Sequence, residues 1–156
     1  MQETALIITP VGRLRLFARG EALTHIEFET GLARESIPEH HLLRAAIRQV
    51  RGYFEDPRTA FSLPLAMTGT EHARRVWAAL REIPLGRTET YGSLARRLGS
   101  GARAVAGACR ANAFPILIPC HRVVAADGLG GYCGRIDGPM LDLKHWLLEH
   151  EARGLA

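Results

Sequence analysis

Residues 90–111 read Thr-Tyr-Gly-Ser-Leu-Ala-Arg-Arg-Leu-Gly-Ser-Gly-Ala-Arg-Ala-Val-Ala-Gly-Ala-Cys-Arg-Ala. The stretch predicts two short helices joined by a tight turn. Thr90 is placed to cap a first helix that ends at Leu98, and Gly99 suits the position just after that end. Ser100 is the expected cap of a second helix over 102–111, which is built almost entirely of small residues. A helix, a tight turn containing glycine and a second helix are typical of a helix-turn-helix.

The small residues of the second helix allow its backbone to approach whatever it faces. Arg103 and Arg110 are seven residues apart, so they lie on about the same side of this helix. The combination favours a helix that contacts DNA. The alternative is that the small residues serve only close packing between helices, which leaves the two aligned arginines unexplained.

The positive charge of the chain is concentrated around this motif. Residues 71–126 contain nine Arg and three Glu and so carry +6, whereas residues 1–70 contain eight basic and eight acidic residues. Residues 127–156 contain three basic and five acidic residues. A basic segment indicates a polyanionic partner, most commonly nucleic acid, although a solvated arginine-rich surface has the same composition.

The composition of the 156-residue chain, with 47% hydrophobic and 23% charged residues, is that of a globular protein. No apolar run approaches the ~18 residues of a membrane span, and the first ten residues lack the basic start of a secretory signal. The three cysteines, an odd number, lie at positions 109, 120 and 133 and indicate reduced thiols. We therefore expect a cytoplasmic protein that does not associate with membranes.

Residues 1–69 predict a separate α/β domain. Short apolar or alternating runs at 5–9, 14–16 and 23–28 are separated by turn sequences and predict a small antiparallel sheet. Apolar residues at helical spacing over 43–54 predict a helix that packs on this sheet. Residues 57–69, with two prolines and a glycine, are interpreted as a linker to a second, mostly helical domain over 70–156.

The predicted helical domain begins with one further helix before the helix-turn-helix. Its apolar stripe is formed by Ala73, Val76, Trp77 and Leu80, which lie at helical spacing. Thr68 and Glu71, three residues apart, are the expected capping box. Pro84-Leu85-Gly86 then turns the chain toward Thr90.

The segment after the helix-turn-helix contains the reactive chemistry. Residues 114–124 read Phe-Pro-Ile-Leu-Ile-Pro-Cys-His-Arg-Val-Val, so a short apolar run leads to Cys120 beside His121. A thiol becomes a strong nucleophile when it ionises, which a nearby histidine oriented by a carboxylate promotes. A buried structural cysteine next to a core histidine is the commoner reason for such a dipeptide.

A zinc site is a further alternative for the cysteines. The spacings between Cys109, Cys120 and Cys133 are 11 and 13 residues, and they match no common pattern of paired zinc ligands. Residues 1–70 contain no cysteine that could hold a structural zinc ion. We therefore expect neither a metal nor a cofactor.

The hexapeptide Ile-Pro-Cys-His-Arg-Val at 118–123 resembles the alkyl-acceptor signature of the O6-alkylguanine-DNA alkyltransferases, or methylated-DNA–protein-cysteine methyltransferases. The resemblance covers about residues 71–151 and includes Val76-Trp77, Thr90-Tyr91-Gly92, Asn112 and the segment from Lys144 to Glu151. It is weak over residues 1–70. It implies an N-terminal ribonuclease-H-like α/β domain with a small antiparallel sheet and a helix, followed by a mostly helical domain with a helix-turn-helix.

The implied activity is repair of DNA by direct reversal of damage. The alkyl group of O6-alkylguanine, and also of O4-alkylthymine, would be transferred irreversibly to Cys120 after the base is flipped out of the duplex. One protein molecule would repair one lesion, since a thioether is inert. The resemblance implies that His121 deprotonates Cys120 through a water molecule and that Glu151, rather than Glu149, orients His121.

Further roles follow from the same resemblance. Asn112 would hold the turn beside the thiolate, Tyr91 would donate to the leaving guanine, and Arg103 would fill the space of the extruded base. Other DNA contacts are expected from Tyr91, Ala102, Ala104, Gly107, Arg110 and Arg97. The base pocket is expected to include Val123, Tyr132, Cys133 and Gly134, with the carbonyls of Cys120 and Val123 accepting from the exocyclic amine and the amide of Cys133 facing O6.

The sequence departs from the family pattern at two places. Cys133 stands where serine is common, and the loop over 134–141 is several residues longer than usual, which predicts a mobile rim beside the pocket. The rival interpretation is a non-catalytic alkyltransferase-like protein that only binds damaged DNA. In such proteins the acceptor cysteine is replaced, whereas Cys120 is present here. The expected partner is double-stranded DNA with O6-alkylguanine, bound by a monomer.

Overall fold

A computed structural model describes residues 1–154 of the chain, and three antiparallel strands come first. They are β1 (Gln2–Thr9), β2 (Gly12–Arg19) and β3 (Ala22–Glu29), hydrogen bonded in the order β1-β2-β3. In β2 every second residue points inward, so Leu14, Leu16 and Ala18 are buried. The short hairpin after β1 ends at Gly12, whose φ of +103° favours glycine.

Helix α1 (His41–Glu55) packs on this sheet. Its buried side chains recur at helical spacing and include Leu43, Ile47 and Val50. The helix begins two residues earlier than predicted because the side chain of His40 accepts a hydrogen bond from the Leu43 amide. The sheet and helix confirm the predicted α/β fold class, and they belong to a compact unit that spans Met1–Met67.

The interpretation of residues 57–69 as a linker was wrong for most of its length. Leu65 pairs with Leu23 of β3 in a parallel bridge. The Leu23 amide donates to Pro64, and the Ala66 amide donates to Leu23. The segment therefore satisfies backbone groups along the free edge of β3. A single bridge of this kind has no hydrophobic period, so the sequence did not reveal it.

The second unit begins at Thr68 and is mostly helical. Its helices are α2 (Glu71–Glu82), α3 (Tyr91–Leu98), α4 (Ala102–Arg110) and α5 (Pro139–Arg153). Two short parallel strands, β4 (Glu89–Thr90) and β5 (Val123–Val124), pair with each other. None of the helices within residues 1–154 is long and apolar enough to span a membrane.

Two predicted helix caps were right and two were wrong. Thr90 caps α3 by accepting from the Ser93 amide, and Gly99 ends that helix with a φ of +62°. Helix α2 is capped by Thr70 rather than Thr68, because the Thr70 hydroxyl accepts from the Ala73 amide. Ser100 does not cap α4, since its hydroxyl bonds to His72 at 2.7 Å instead.

Helices α3 and α4 form the helix-turn-helix, and α2 packs against α4. The indole of Trp77 donates a buried 2.8 Å hydrogen bond to the Ala108 carbonyl. This bond joins the middle of α2 to α4, and the small residues of α4 let the two backbones approach. One face of α4 therefore serves helix packing, as the alternative interpretation proposed.

Neighbouring isoleucines of β1 provide a stability test of the first unit. Ile7 is completely buried and Ile8 is half exposed. Ile7→Ala is expected to lower the free energy of unfolding by about 2–5 kcal/mol, because it leaves a cavity in the core. Ile8→Ala is the matched control and is expected to cost less than ~1 kcal/mol. Urea unfolding followed by circular dichroism measures both values, and equal losses would contradict this assignment of the strand faces.

Candidate active site

Cys120 is the first residue of a short 3₁₀ turn, Cys120–Arg122, that follows a buried apolar segment. Phe114, Ile116 and Ile118 are all buried, which anchors the segment in the core. Ile116 has a φ of +77°, a strained conformation for a β-branched residue. The buried side chains on either side of Ile116 stabilise this conformation. Cys120, which follows the segment, is only 5% exposed and lies in the wall of a cavity.

Asn112 holds the two ends of this segment together. Its side-chain amide donates to the Ile118 carbonyl at 2.9 Å, and its carbonyl oxygen accepts from the Phe114 amide at 2.9 Å. The same side chain hydrogen bonds to the thiol of Cys120. The structure thus places Asn112 where the sequence predicted it, at the turn beside the cysteine.

His121 and Glu151 form a buried pair. The Nε2 atom of His121 lies 2.7 Å from a carboxylate oxygen of Glu151, and both side chains are inaccessible to solvent. A carboxylate only accepts hydrogen bonds, so Nε2 carries the proton and Nδ1 keeps its lone pair. Nδ1 is buried and has no hydrogen-bond partner among residues 1–154. It is the basic atom of this pair.

Glu149, the alternative partner of His121, lies elsewhere. It is exposed on α5, where its carboxylate contacts the imidazole of His145 and forms an ion pair with Arg153, each four residues away. Glu149 and Glu151 are two residues apart on one helix, so they point to different sides. The geometry therefore joins Glu151, and not Glu149, to His121.

Arg122 binds the same carboxylate from the other side. Its Nε and Nη2 atoms donate to the two oxygens of Glu151 at 2.9 and 3.0 Å, and Nη1 donates to the Ile83 carbonyl at 2.8 Å. Burial raises the pKa of Glu151, but the bonds and charges of His121 and Arg122 outweigh it and lower the pKa to about 2. Burial lowers the pKa of His121, so its neutral form is favoured.

Lys144 places a positive charge beside the cavity wall. Its ammonium group is buried and donates to the carbonyls of Val123, Leu129 and Gly131 at 2.6–2.8 Å. Burial lowers the pKa of Lys144 to about 8. Three carbonyl acceptors use all three N–H groups of the ammonium form, so we assign the charged form at neutral pH.

Opposing effects act on the pKa of the Cys120 thiol. Burial raises the pKa of its thiol, whereas the hydrogen bond from Asn112 and the charge of Lys144 lower it. Desolvation is the larger effect in the free protein. The ionised sulfur therefore depends on these two neighbours and on a base that removes the proton.

The cavity beside Cys120 has a volume of about 140 Å³. Tyr91, Arg110, Tyr132, Cys133 and Gly134, all predicted site residues, line it together with Cys120. Burial raises the pKa of Tyr91 to about 12, so its hydroxyl remains a proton donor.

The pairing of β4 with β5 sets Tyr91 next to the cysteine turn. Glu89 and Thr90 pair with Val123 and Val124, so the start of α3 is bonded to the residues that follow the turn. Gly130 packs closely on Tyr91, since a Cβ atom there would lie 2.9 Å from the tyrosine ring.

Val123, which was predicted in the base pocket, is buried and is not among the residues that line the cavity. Its carbonyl accepts from Lys144, and the Cys120 carbonyl accepts from the Val123 amide. Each carbonyl oxygen has a second lone pair, so both can accept one more hydrogen bond.

The rim of the cavity is a tight turn. Reciprocal backbone hydrogen bonds join Tyr132 and Arg135, with Cys133 at φ +51° and Gly134 at φ +80° between them. Two successive residues with positive φ are the signature of a type I′ turn. Helix α5 begins at Pro139, so the predicted loop over 134–141 is shorter than expected.

Helix α4 exposes a row of predicted DNA contacts. Val105, Ala108 and Cys109 are buried, whereas the opposite face carries exposed Ala102, Arg103, Ala104, Gly107 and Arg110. Arg97, which was also predicted to contact DNA, lies on α3 and forms ion pairs with Glu89 and Glu82. Its charge is therefore partly neutralised within the protein.

Two of these features were missed by the sequence analysis. Lys144 was noted only as part of a similar segment, and Arg122 only as part of the hexapeptide. The sequence signal that could have identified Lys144 is that it is the single lysine of an arginine-rich chain. The side chains of His, Cys, Asp and Glu form no cluster of three or more that could hold a metal ion within the described part of the chain.

Comparison with known proteins covers both units. Residues 4–67 match the family described as "6-O-methylguanine DNA methyltransferase, ribonuclease-like domain", and residues 71–153 match its "DNA binding domain". A methylated-DNA–protein-cysteine methyltransferase of Methanosarcina acetivorans is 37% identical over 155 residues, covering 94% of this chain and 96% of that protein.

Solved structures are similar over almost the whole chain. The O6-methylguanine methyltransferase of Mycobacterium tuberculosis is 34% identical with a TM-score of 0.80, covering 98% of this chain and 94% of that one. A structure of the M. tuberculosis protein in complex with DNA is 37% identical, also with a TM-score of 0.80, and covers 96% of this chain and 92% of that one.

The two glutamates of α5 provide a test of the buried pair. Glu151→Gln is expected to lower the free energy of unfolding at pH 7 by about 2 kcal/mol or more, because it removes the charge between His121 and Arg122. The pKa of Glu151 is lowered from 4.5 to about 2 on folding, so its contribution is present above pH 4.5 and is lost toward pH 2.

The difference between wild type and Glu151→Gln should therefore shrink as the pH of urea unfolding is lowered from 7 to about 2.5. Glu149→Gln is the matched control, and we expect it to change stability by less than ~0.5 kcal/mol at either pH. A pH-independent difference for Glu151→Gln would contradict the proposed linkage.

Proposed function

Because the chain belongs to the 6-O-methylguanine DNA methyltransferase family, we propose that Cys120 is the residue that accepts the alkyl group. The protein repairs alkylated DNA by transferring an alkyl group from a base to one of its own cysteines. The observation that carries the assignment to Cys120 is its position at a cavity, followed directly by a histidine that a buried carboxylate orients.

The first step is ionisation of the thiol. His121 is neutral, and its Nδ1 atom holds the lone pair, so it accepts the proton of Cys120 through a water molecule. Glu151 stabilises the imidazolium that forms, since its carboxylate is already ionised. Lys144 and Asn112 stabilise the thiolate by charge and by a hydrogen bond. Each neighbour favours the charged pair over the neutral one.

The second step is a displacement at carbon. The thiolate sulfur attacks the alkyl carbon, a sulfur–carbon bond forms, and the bond from that carbon to O6 breaks. The bonding electrons remain on the guanine, which needs a proton or a hydrogen bond to leave as a stable base. Tyr91, whose hydroxyl stays protonated, donates to the purine ring from the cavity wall. The product thioether is stable, so each protein molecule reacts once.

The substrate is O6-alkylguanine in double-stranded DNA, and O4-alkylthymine is a second substrate. The protein acts as a monomer, and its location is the cytoplasm. O6 lies inside the duplex, so the base must be flipped out at a cost of a few kcal/mol. The exposed face of α4 binds the DNA, and Arg103 occupies the space left by the extruded base. In the pocket the carbonyls of Cys120 and Val123 accept from the exocyclic amine, and the Cys133 amide faces O6.

Mass spectrometry tests the acceptor directly. After incubation with a duplex containing O6-methylguanine, we expect the intact protein to gain one methyl group and Cys120→Ala to gain none. Trypsin separates the three cysteines into peptides 104–110, 111–122 and 123–135, so the modified residue is identified without ambiguity. Methylation of 104–110 or 123–135 would overturn the assignment. Lesion binding without methylation would favour the alkyltransferase-like alternative.

The role of Arg103 is tested by substitution. Arg103→Ala is expected to slow methyl transfer from a duplex by about tenfold or more, because the flipped state loses the side chain that fills the gap. Transfer from a single-stranded oligonucleotide should fall less, since no base pair is opened. Arg19→Ala removes an exposed arginine from the first unit and serves as the control. Equal losses on both substrates would contradict a role in base flipping.

A further inference from the structure

Three thiols border the cavity, and the reaction proposed above uses one of them. Cys120 lies on its buried side, Cys109 lines it from α4, and Cys133 lines it from the turn at the rim. The volume of about 140 Å³ is close to that of a cavity that holds one benzene molecule. The three thiols therefore line one small cavity.

Cys133 differs from the other two cysteines in its exposure. Cys109 and Cys120 are buried, whereas Cys133 is exposed. An oxidant that arrives from solution therefore reaches Cys133 first. Cys133 belongs to a four-residue turn closed by hydrogen bonds between Tyr132 and Arg135. A short turn adjusts its backbone at lower cost than a residue within a packed helix.

We propose that Cys133 forms a reversible disulfide with Cys120 and thereby protects the acceptor from irreversible oxidation. This proposal rests on the proposed function of Cys120. The oxidant is a peroxide such as hydrogen peroxide. The Cys133 sulfur takes one oxygen atom from it to form a sulfenic acid, and the other oxygen leaves as water.

The Cys120 thiolate then attacks the oxidised sulfur of Cys133. A sulfur–sulfur bond forms, and the sulfenic oxygen leaves as a second water molecule after it takes up a proton. Two thiols lose two electrons and two protons in total, and one hydrogen peroxide is reduced to two water molecules. An external dithiol reverses the reaction by thiol–disulfide exchange.

Cys109 is the less suitable partner because of its place in the fold. It lies within α4, whose backbone is held by helix packing, so it adjusts at a higher cost than a residue of a short turn. The favoured pair is therefore the buried acceptor and the rim cysteine.

The disulfide has a direct consequence for repair. The oxidised protein cannot accept an alkyl group, but a reductant restores it. Without Cys133, a sulfenic acid on Cys120 would have no partner thiol at the rim and would proceed to sulfinic or sulfonic acid, which reductants do not reverse.

The test compares wild type, Cys133→Ser and Cys109→Ser after treatment with hydrogen peroxide and capping of free thiols. Non-reducing digestion of the wild type is expected to yield peptide 111–122 linked to peptide 123–135, separable by dithiothreitol. Methyl transfer is measured before and after reduction, relative to the untreated sample of each variant. We expect the irrecoverable loss in Cys133→Ser to be about threefold larger or more than in wild type and Cys109→Ser.

Absence of the linked pair from wild type at a dose that inactivates it would overturn the proposal. A link between 104–110 and 111–122, or equal irrecoverable losses in wild type and Cys133→Ser, would also overturn it. Formation of the expected link with unchanged methyl transfer would support the disulfide and contradict Cys120 as the acceptor. The two proposals therefore fail in distinguishable ways.

Discussion

The second unit depends on the hydrogen bonds and ion pairs that the buried carboxylate of Glu151 makes. This carboxylate joins α5 to the cysteine turn through His121, and it binds Arg122, which in turn reaches the carbonyl that ends α2. A buried carboxylate with one partner removed is costly, so the three side chains are stable only together. The same pairing decides the chemistry, because it leaves the free lone pair of His121 on Nδ1.

Burial and charge act in opposite directions on Cys120, the proposed acceptor. Desolvation favours the neutral thiol of Cys120 and the neutral ring of His121 in the free protein. Lys144 and Asn112 favour the thiolate at the same place. A site of this kind holds its nucleophile in a resting state and has the groups that stabilise the ionised state already in position.

The three cysteines have the same side chain but lie in different surroundings. Cys109 is locked in α4, Cys120 lies in a kinked segment against a base, and Cys133 is exposed on a strained turn. Their reactivity therefore depends on burial and neighbours, which are properties of the fold. Cys133, at a position where the resemblance leads us to expect serine, lines the same cavity as Cys120.

Local signals in the sequence predicted most of the fold. Alternation in β2, helical spacing in α1 and the Thr90 and Gly99 boundaries of α3 each depend on a few neighbouring residues. The caps of α2 and α4 were predicted at the wrong residues, because Thr68, Thr70 and Ser100 are all capable caps. In the structure Thr70 caps α2, and the Ser100 hydroxyl bonds to His72 instead of capping α4. Residues 57–69 were predicted as a linker because their pairing with β3 joins residues far apart in the chain.

The sequence by itself determined the family, the two-part organisation and the presence of a cysteine beside a histidine. Each of these follows from residue identity and short-range order. Only the tertiary structure decided that Arg122 binds the carboxylate of Glu151, that Lys144 is buried beside the cavity, and that three thiols share one cavity. These are relations between residues up to some 30 positions apart, and they exist only after hydrophobic packing has brought the helices and the turn together.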